Sequence, residues 1–389
     1  MKTRNEIIRD YFLNGLSYDE ILSLLSSIHN VKITLRQLNR ILRLLNLYRR
    51  HGKSPLNVVI KEVAKELKGP SSSYGYRQMH QQLRKNGLVV DKETTRLIIK
   101  SLDPEKVAER KRKRLTRRVY VSHGPNNTWH MDGYDKMKPF GFAIHGAIDG
   151  YSRKILWLNV ASSNNDPKII ASYFINCVKE LKIIPQLLRA DRGSENVIAG
   201  GIQRFMRRRF TDSLAGHGSF RYGPSTRNQR IEAWWSQFRK SRGNWWINFF
   251  KDLLDSATST GIDVSIGYHL ECLRFCFMGL IQQELDQVKT MWNHHRIRNV
   301  RNSECPNGRP EVLYHASHLS GGRNCGFSIT RSDIILAKSF CMEPSLLGCS
   351  EEFMKLANVI MKENGLKMPE NADEGKRLAE FLLHEIELL

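Results

Sequence analysis

Three acidic residues stand in segments whose composition suits phosphate chemistry. Asp132 lies in Trp129-His130-Met131-Asp132-Gly133, Asp191 opens Asp191-Arg192-Gly193-Ser194-Glu195-Asn196, and Glu232 follows Asn228-Gln229-Arg230-Ile231. Carboxylates are hard oxygen ligands of the kind that Mg²⁺ prefers, with several waters retained. Two such ions, roughly 3.5–4 Å apart, activate an attacking oxygen and stabilise a leaving oxygen in an in-line phosphoryl transfer. Glu232 precedes Arg239 by seven residues, so both share a helix face. Arg239 and Arg230 are therefore candidates to touch a phosphate near the metals.

For these acids to meet, strands and a helix must bring them together. The pattern predicts strands over 127–132, 140–149, 154–161, 186–190 and 219–222. Asp149-Gly150 sits where a hairpin turn would fall between the second and third. Helices are predicted over 167–181, with Pro167 first, over 197–209, and over 228–240. Three strands, helix, strand, helix, strand, helix is a mixed α/β layout with the sheet covered by helices. In such a sheet the first and fourth strands can lie side by side. Asp132 and Asp191 then converge at their C-terminal ends, and a helix packed over that edge adds Glu232.

The flanking regions read as helical. Residues 1–50 form a small unit: a helix over 5–13, a second opened by the capping box Ser17-Tyr18-Asp19-Glu20, and a third opened by Thr34-Leu35-Arg36-Gln37. The third carries Leu35, Leu38, Ile41, Leu42 and Leu45 on one face, with Arg36, Arg40 and Arg43 on the others. A basic last helix of three is how a helix-turn-helix looks, and Arg36 and Arg40 become candidate DNA contacts. Any three-helix unit with a solvated basic face is the alternative. A second helical unit covers 56–104, a basic linker 105–122, a catalytic-type core 123–255, and a mainly helical region 256–389.

The charge balance agrees with a polyanionic partner. Lys plus Arg number 61 against 39 Asp plus Glu, a formal net charge of +22. Such a field attracts nucleic acid, because each neutralised phosphate releases counterions. Lys111, Arg112, Lys113 and Arg114 belong to the run KRKRLTRR, a candidate phosphate-binding strip or nuclear-import signal. That run suggests a nuclear location in a eukaryotic host and a cytoplasmic one otherwise. Mean hydropathy is -0.44, no apolar run reaches membrane-spanning length, and MKTRNEIIRDYF lacks a signal-peptide core. The seven scattered cysteines suggest a reducing compartment.

Taken together, the Trp-His-Met-Asp, Asp-Arg-Gly-Ser-Glu-Asn and Asn-Gln-Arg-Ile-Glu segments resemble the catalytic core of retroviral integrases and related DDE transposases. The turn Ile148-Asp149-Gly150-Tyr151-Ser152-Arg153 is similar to that core's second hairpin. Tyr74-Gly75-Tyr76-Arg77-Gln78-Met79-His80 is similar to the helical segment before the core in bacterial insertion-sequence transposases. The likeness covers roughly residues 70–250, and Trp292-Asn293-His294-His295-Arg296-Ile297-Arg298 looks like a post-core helix.

The resemblance implies a ribonuclease-H-like fold: a mixed five-stranded sheet flanked by helices. It implies that Asp132, Asp191 and Glu232 are the metal-binding triad, with two Mg²⁺ or Mn²⁺ ions. The expected activity is phosphodiester cleavage and strand transfer in DNA integration, by a homo-oligomer assembled on DNA. An N-terminal His/Cys zinc module is not visible, an insert falls around 207–219, and Asn228-Gln229 replace a glycine-rich approach to the glutamate. These departures place the chain nearer a transposon-derived cellular protein than a virus enzyme. A domesticated, inactive DNA-binding scaffold is the alternative, and a nuclease on RNA–DNA hybrids a third.

Other residues read as structural. Asp149 is a turn residue, and Asp135 and Glu195 are solvated or support the triad from outside it. His130 is expected on the opposite sheet face from Asp132, in packing. Trp234, Trp235, Trp245 and Trp246 are core candidates, one of them a possible stacking platform for DNA bases. Cys272 and Cys276 are buried thiols. His315, His318 and Cys325 lack a fourth ligand for zinc.

Overall fold

In the computed structural model the described residues are 2–49, 52–104, 120–223, 228–255, 262–298 and 305–388. Three short helices open the chain: α1 (Arg4–Leu13), α2 (Tyr18–His29) and α3 (Leu35–Leu44). Each starts with a reciprocal capping box, Thr3 with Glu6, Ser17 with Glu20, and Thr34 with Gln37. Each box satisfies backbone N–H groups that a helix start otherwise leaves bare. Ile8, Phe12, Leu16, Ile21, Leu24, Leu38 and Leu42 fill the space between these helices. A second helical unit follows: α4 (Leu56–Lys68), α5 (Tyr76–Lys85) and α6 (Lys92–Leu102).

The central sheet uses β1 (Thr128–Tyr134), β2 (Ala143–Asp149), β3 (Ile155–Ala161), β5 (Leu187–Ala190) and β6 (Phe220–Tyr222), in spatial order β3-β2-β1-β5-β6. The first three pair antiparallel with one another, and β5 is parallel to β1 and β6. A separate pair joins β4 (Ile183–Ile184) to β7 (Phe327–Ser328). The expected mixed five-stranded sheet is therefore present, with the first and fourth predicted strands side by side.

Alternation along the strands sorts side chains onto two faces. Trp129, Met131, Ala147, Leu188 and Ala190 pack under α7 (Pro167–Leu181) and α8 (Val197–Met206). Tyr134, Ile144, Ile148, Leu158 and Val160 pack under α9 (Gln229–Phe238), α10 (Asn244–Asp255) and α11 (Gly267–His294). Later elements are α12 (Pro310–His315), α13 (Arg331–Lys338), α14 (Glu351–Glu363) and α15 (Ala372–Glu387).

Several expectations shift. β1 does not end at Asp132; Gly133 and Tyr134 continue the pairing with His145 and Ile144, so the acid sits inside the strand. β2 starts at Ala143, because a 3₁₀ turn fills Asp135–Phe140 and Gly141 reverses the chain at a φ of 91°. α8 stops at Met206, where the side chain of Arg207 turns inward, fully buried, onto Asp212 and the Phe327 ring. α9 stops at Phe238 and passes through a π-turn, Arg239–Gly243, into α10.

The helices after 256 do not form a separate layer of their own. Residues of α11, α14 and α15 share one apolar cluster with the sheet. α11 also closes the outer edge of β3. Gln282 accepts from Val160 N–H at 3.0 Å and donates to Leu158 C=O at 3.1 Å, and Asn293 does the same for Ile155 at 2.8 and 3.0 Å. Two side-chain amides thus take the place of a neighbouring strand and blunt an edge that would otherwise invite pairing. α12 docks on the N-terminal unit, where Val312 and Ala316 join its core and Arg309 bonds to Glu20 at 3.1 Å. Among the described residues no helix is long and apolar enough to cross a membrane.

Candidate active site

The period of two along β1 points His130, Asp132 and Tyr134 to the face covered by α9. His130 thus shares the face of Asp132 and does not lie opposite it as expected; residues two apart along a strand point the same way. β5 contributes the next acid. The parallel register pairs Trp129 with Leu188 and His130 with Arg189. Two further steps along both strands set Asp132 against Asp191, the residue just past the end of β5.

α9 brings Glu232. Its helix is pinned to β1 at two points, one on each side of that acid. At the N-terminal end, the Asn228 side chain donates to Met131 C=O at 2.9 Å, and its Oδ1 lies 2.8 Å from Nδ1 of His130. The other ring nitrogen of His130 meets the Tyr120 hydroxyl at 2.8 Å. Seven residues on from Asn228, the Trp235 indole N–H donates to Oδ2 of Asp132 at 3.1 Å. Residues 228, 232 and 235 are spaced i, i+4, i+7, so they form one stripe toward the sheet.

The acids act on one another. Burial, and then the charges of Glu232 and Asp191, push the Asp132 carboxyl up to about 8, against opposing hydrogen bonds from Trp235 and the Gly133 N–H. Glu232 is raised by burial and then by Asp191. Glu195 is raised by burial and, further down, by Asp191 and Asp135. Asn196 bridges this group, donating to Asp191 at 3.2 Å and to Glu195 at 2.6 Å. Glu195 folds so closely over Gly193 that a Cβ there would fall 2.0 Å from its Oε1. Carboxylates that repel one another favour a cation between them, and a hard divalent cation is the counter-charge their oxygens suit. In their present arrangement, no three His, Cys, Asp or Glu side chains among the described residues form a group ready to hold an ion. Asp132 and Asp191 each turn an oxygen to a neighbouring donor, Trp235 and Asn196.

The candidate DNA contacts fall in different places. Arg36 and Arg40 are exposed on α3, on the side away from its core. Arg239 is exposed at the end of α9, hydrogen-bonded to Asn244 at 3.2 Å and near enough to Tyr134 to act on its hydroxyl. Arg230 is turned inward instead. Its guanidinium covers the Tyr120 ring at 4.1 Å and reaches Cys305 Sγ at 2.9 Å, which leaves it engaged within the fold. Lys111, Arg112, Lys113 and Arg114 lie outside the described residues.

The remaining readings fall as follows. Asp149 is a turn acid: it accepts from Asn126 N–H at 2.7 Å and from the Ser152 N–H and hydroxyl at 2.8 and 2.7 Å. Asp135 is exposed, bonded to Asn164 at 2.8 Å. Trp234, Trp235 and Trp246 are buried, and Trp245 is half-buried. Cys272 and Cys276 are buried free thiols. His315 faces Lys154 at 2.6 Å and Glu311 at 3.4 Å, in a buried charge cluster. Asn228, Trp235 and Asn196 are positions near the acids for which sequence reasoning found no role there. The stripe at 228, 232 and 235 was the available signal for the first two.

A mixed sheet in the order 3-2-1-5-6, covered by helices on both faces, is a ribonuclease-H-like core. Residues 119–322, more than half of the chain, match the integrase core domain, and the chain belongs to that family. By family it is an integrase- or transposase-like protein with a DNA partner. No curated protein matches it.

Proposed function

We propose that the protein is a divalent-metal-dependent DNA strand transferase, with Asp132, Asp191 and Glu232 holding two Mg²⁺ or Mn²⁺ ions. The observation that supports this reading is that α9, which carries Glu232, is tied on both sides of that acid to β1 beside Asp132, with Glu232 and Asp191 both acting on the Asp132 carboxyl. The cations supply charge stabilisation for the attacking and leaving oxygens of a phosphodiester. The attacking group is water for end cleavage and a DNA 3′-hydroxyl for joining, in line with the leaving oxygen. Arg239, exposed at the end of α9, would meet a backbone phosphate. Arg36, Arg40 and the 111–114 run hold DNA farther out. Two DNA ends have to meet for joining, so the working form is at least a dimer on DNA. The basic run directs the protein to the nucleus in a eukaryotic host.

The test is nicking and strand joining on labelled duplexes with and without Mg²⁺. Wild type is expected to act only with the cation, and Asp132→Asn to bind DNA without acting. A second reading is a DNA-holding scaffold without catalysis. It is favoured by the engagement of Asp132 and Asp191 with protein donors, Trp235 and Asn196. Tight, salt-sensitive DNA binding with no cation-dependent cleavage in the wild-type chain would establish it.

A further inference from the structure

Trp235 stands out among the buried aromatic residues of the α9 face. Its ring packs on Tyr134 at 5.2 Å and on Trp234 at 4.8 Å, as a core residue does. Its N–H, however, is aimed at the Asp132 carboxylate, 3.1 Å from Oδ2. Packing on this face does not itself require such an acceptor: the nearby Trp246 is as deeply buried, and its indole N–H has no hydrogen-bond partner among the described residues. Trp235 also sits three residues after Glu232, one helical turn along α9. Whatever sets the indole against Asp132 therefore sets the Glu232 backbone relative to that acid too.

We infer that Trp235 is a positioning residue of the transfer site: its indole N–H fixes the Asp132 carboxylate, and with Asn228 it holds α9 so that Asp132 and Glu232 are presented together to a divalent cation. This rests on the strand-transferase reading. A rigid bidentate or shared carboxylate binds a cation better than one free to rotate, because the orientation is already set before the ion arrives. Partners that hydrogen-bond to metal-ligating side chains typically alter metal affinity by about 10–100-fold when removed. The inference concerns an atom-specific contact, so it predicts an effect of deleting the N–H while the ring stays in place.

The experiment uses the full chain with ¹⁵N-labelled indoles. Mg²⁺ and then Mn²⁺ are titrated while the indole N–H signals are followed, and Mn²⁺ affinity is measured by the free-ion electron spin resonance signal. The Trp235 resonance is identified as the one missing in Trp235→Phe. It is expected to shift with Mg²⁺ and to broaden with Mn²⁺. Trp235→Phe is expected to fold, with a lower unfolding temperature from the lost indole volume, and to bind Mn²⁺ about 10–100-fold more weakly. If Trp235→Phe fails to fold, the resonance is identified in wild type by its response to Asp132→Asn, and its broadening by Mn²⁺ alone then decides.

Unchanged Mn²⁺ affinity in a folded Trp235→Phe, or a Trp235 signal indifferent to Mn²⁺, would overturn the inference. In that case, wild-type binding that disappears in Asp191→Asn leaves the strand-transferase reading standing. Absence of saturable Mn²⁺ binding in the wild-type chain would overturn both.

Discussion

The side chain of Asn228 joins His130 at 2.8 Å and the Met131 carbonyl at 2.9 Å, tying the start of the Glu232 helix to the strand that carries Asp132. Both partners are buried, so the bonds are made where water cannot replace them. Asn228→Ala leaves a ring nitrogen and a carbonyl without partners. The expected loss is on the order of 1–3 kcal/mol of unfolding free energy. Urea unfolding of the two proteins measures it, and an unchanged midpoint would remove the tie from the account.

Asp132 shows how a site can oppose its own fold. Burial and two neighbouring acids disfavour its charge. Asp132→Asn keeps an oxygen to accept from Trp235 and removes the repulsion. The variant is therefore expected to unfold several degrees higher than wild type without added cations. Added Mg²⁺ should raise the midpoint of wild type and leave the variant where it was, since a ligand stabilises only the fold that binds it. Differential scanning calorimetry with and without Mg²⁺ reads both effects.

A buried charge cluster joins the β2–β3 hairpin to α12. Lys154 meets Glu311 at 3.0 Å, and burial of Glu311 is outweighed by Lys154 and then His315, which hold its carboxyl well below the usual range. Glu311→Gln strands the lysine and should cost about 3–5 kcal/mol. Lys154→Met combined with Glu311→Leu should recover much of that loss, since no unpaired charge is left behind. Chemical denaturation of the single and double variants checks the non-additivity.

His145 sets part of the pH dependence. Burial lowers its pKa to about 3, and the Trp157 indole N–H donates to its Nδ1 at 3.1 Å, so the ring is neutral in the fold. An unfolded histidine titrates near 6.5. As pH falls below that value, the unfolded chain gains a proton that the fold refuses, and stability drops. The group's contribution is complete above about 6.5 and is lost progressively down to about 3, at roughly 1.4 kcal/mol per pH unit. His145→Gln should flatten the unfolding free energy between pH 6 and pH 4; an unaltered slope would assign the loss to other groups.

The acids and the strands beneath them were readable because their cues are local. Asp132 and Asp191 follow short apolar runs, and Asp149-Gly150 marks a turn on its own. The neighbourhood of β1 and β5 could be expected from strand order. What the sequence concealed was set by contacts between distant segments. Nothing near β3 reveals that Gln282 and Asn293 cover its edge, more than 120 residues later. Likewise, the joining of α11, α14 and α15 to the sheet core depends on tertiary packing that helical periodicity cannot assign to a partner. The inward turn of Arg230 depends on Tyr120 and Cys305 and defeats a reading based on charge alone. His130 is the opposite case: counting two residues along the strand suffices to set it on the face of Asp132, and the expectation of the opposite face missed that cue.

The most direct test of the account is anomalous diffraction from crystals of the full chain soaked in Mn²⁺. The account predicts anomalous peaks bounded by Asp132, Asp191 and Glu232, with at least one oxygen from each acid within coordination distance, and their loss in Asp191→Asn crystals. A saturating soak that leaves this face of the sheet without a peak, or that shows the three carboxylates bound to different sites, would contradict it.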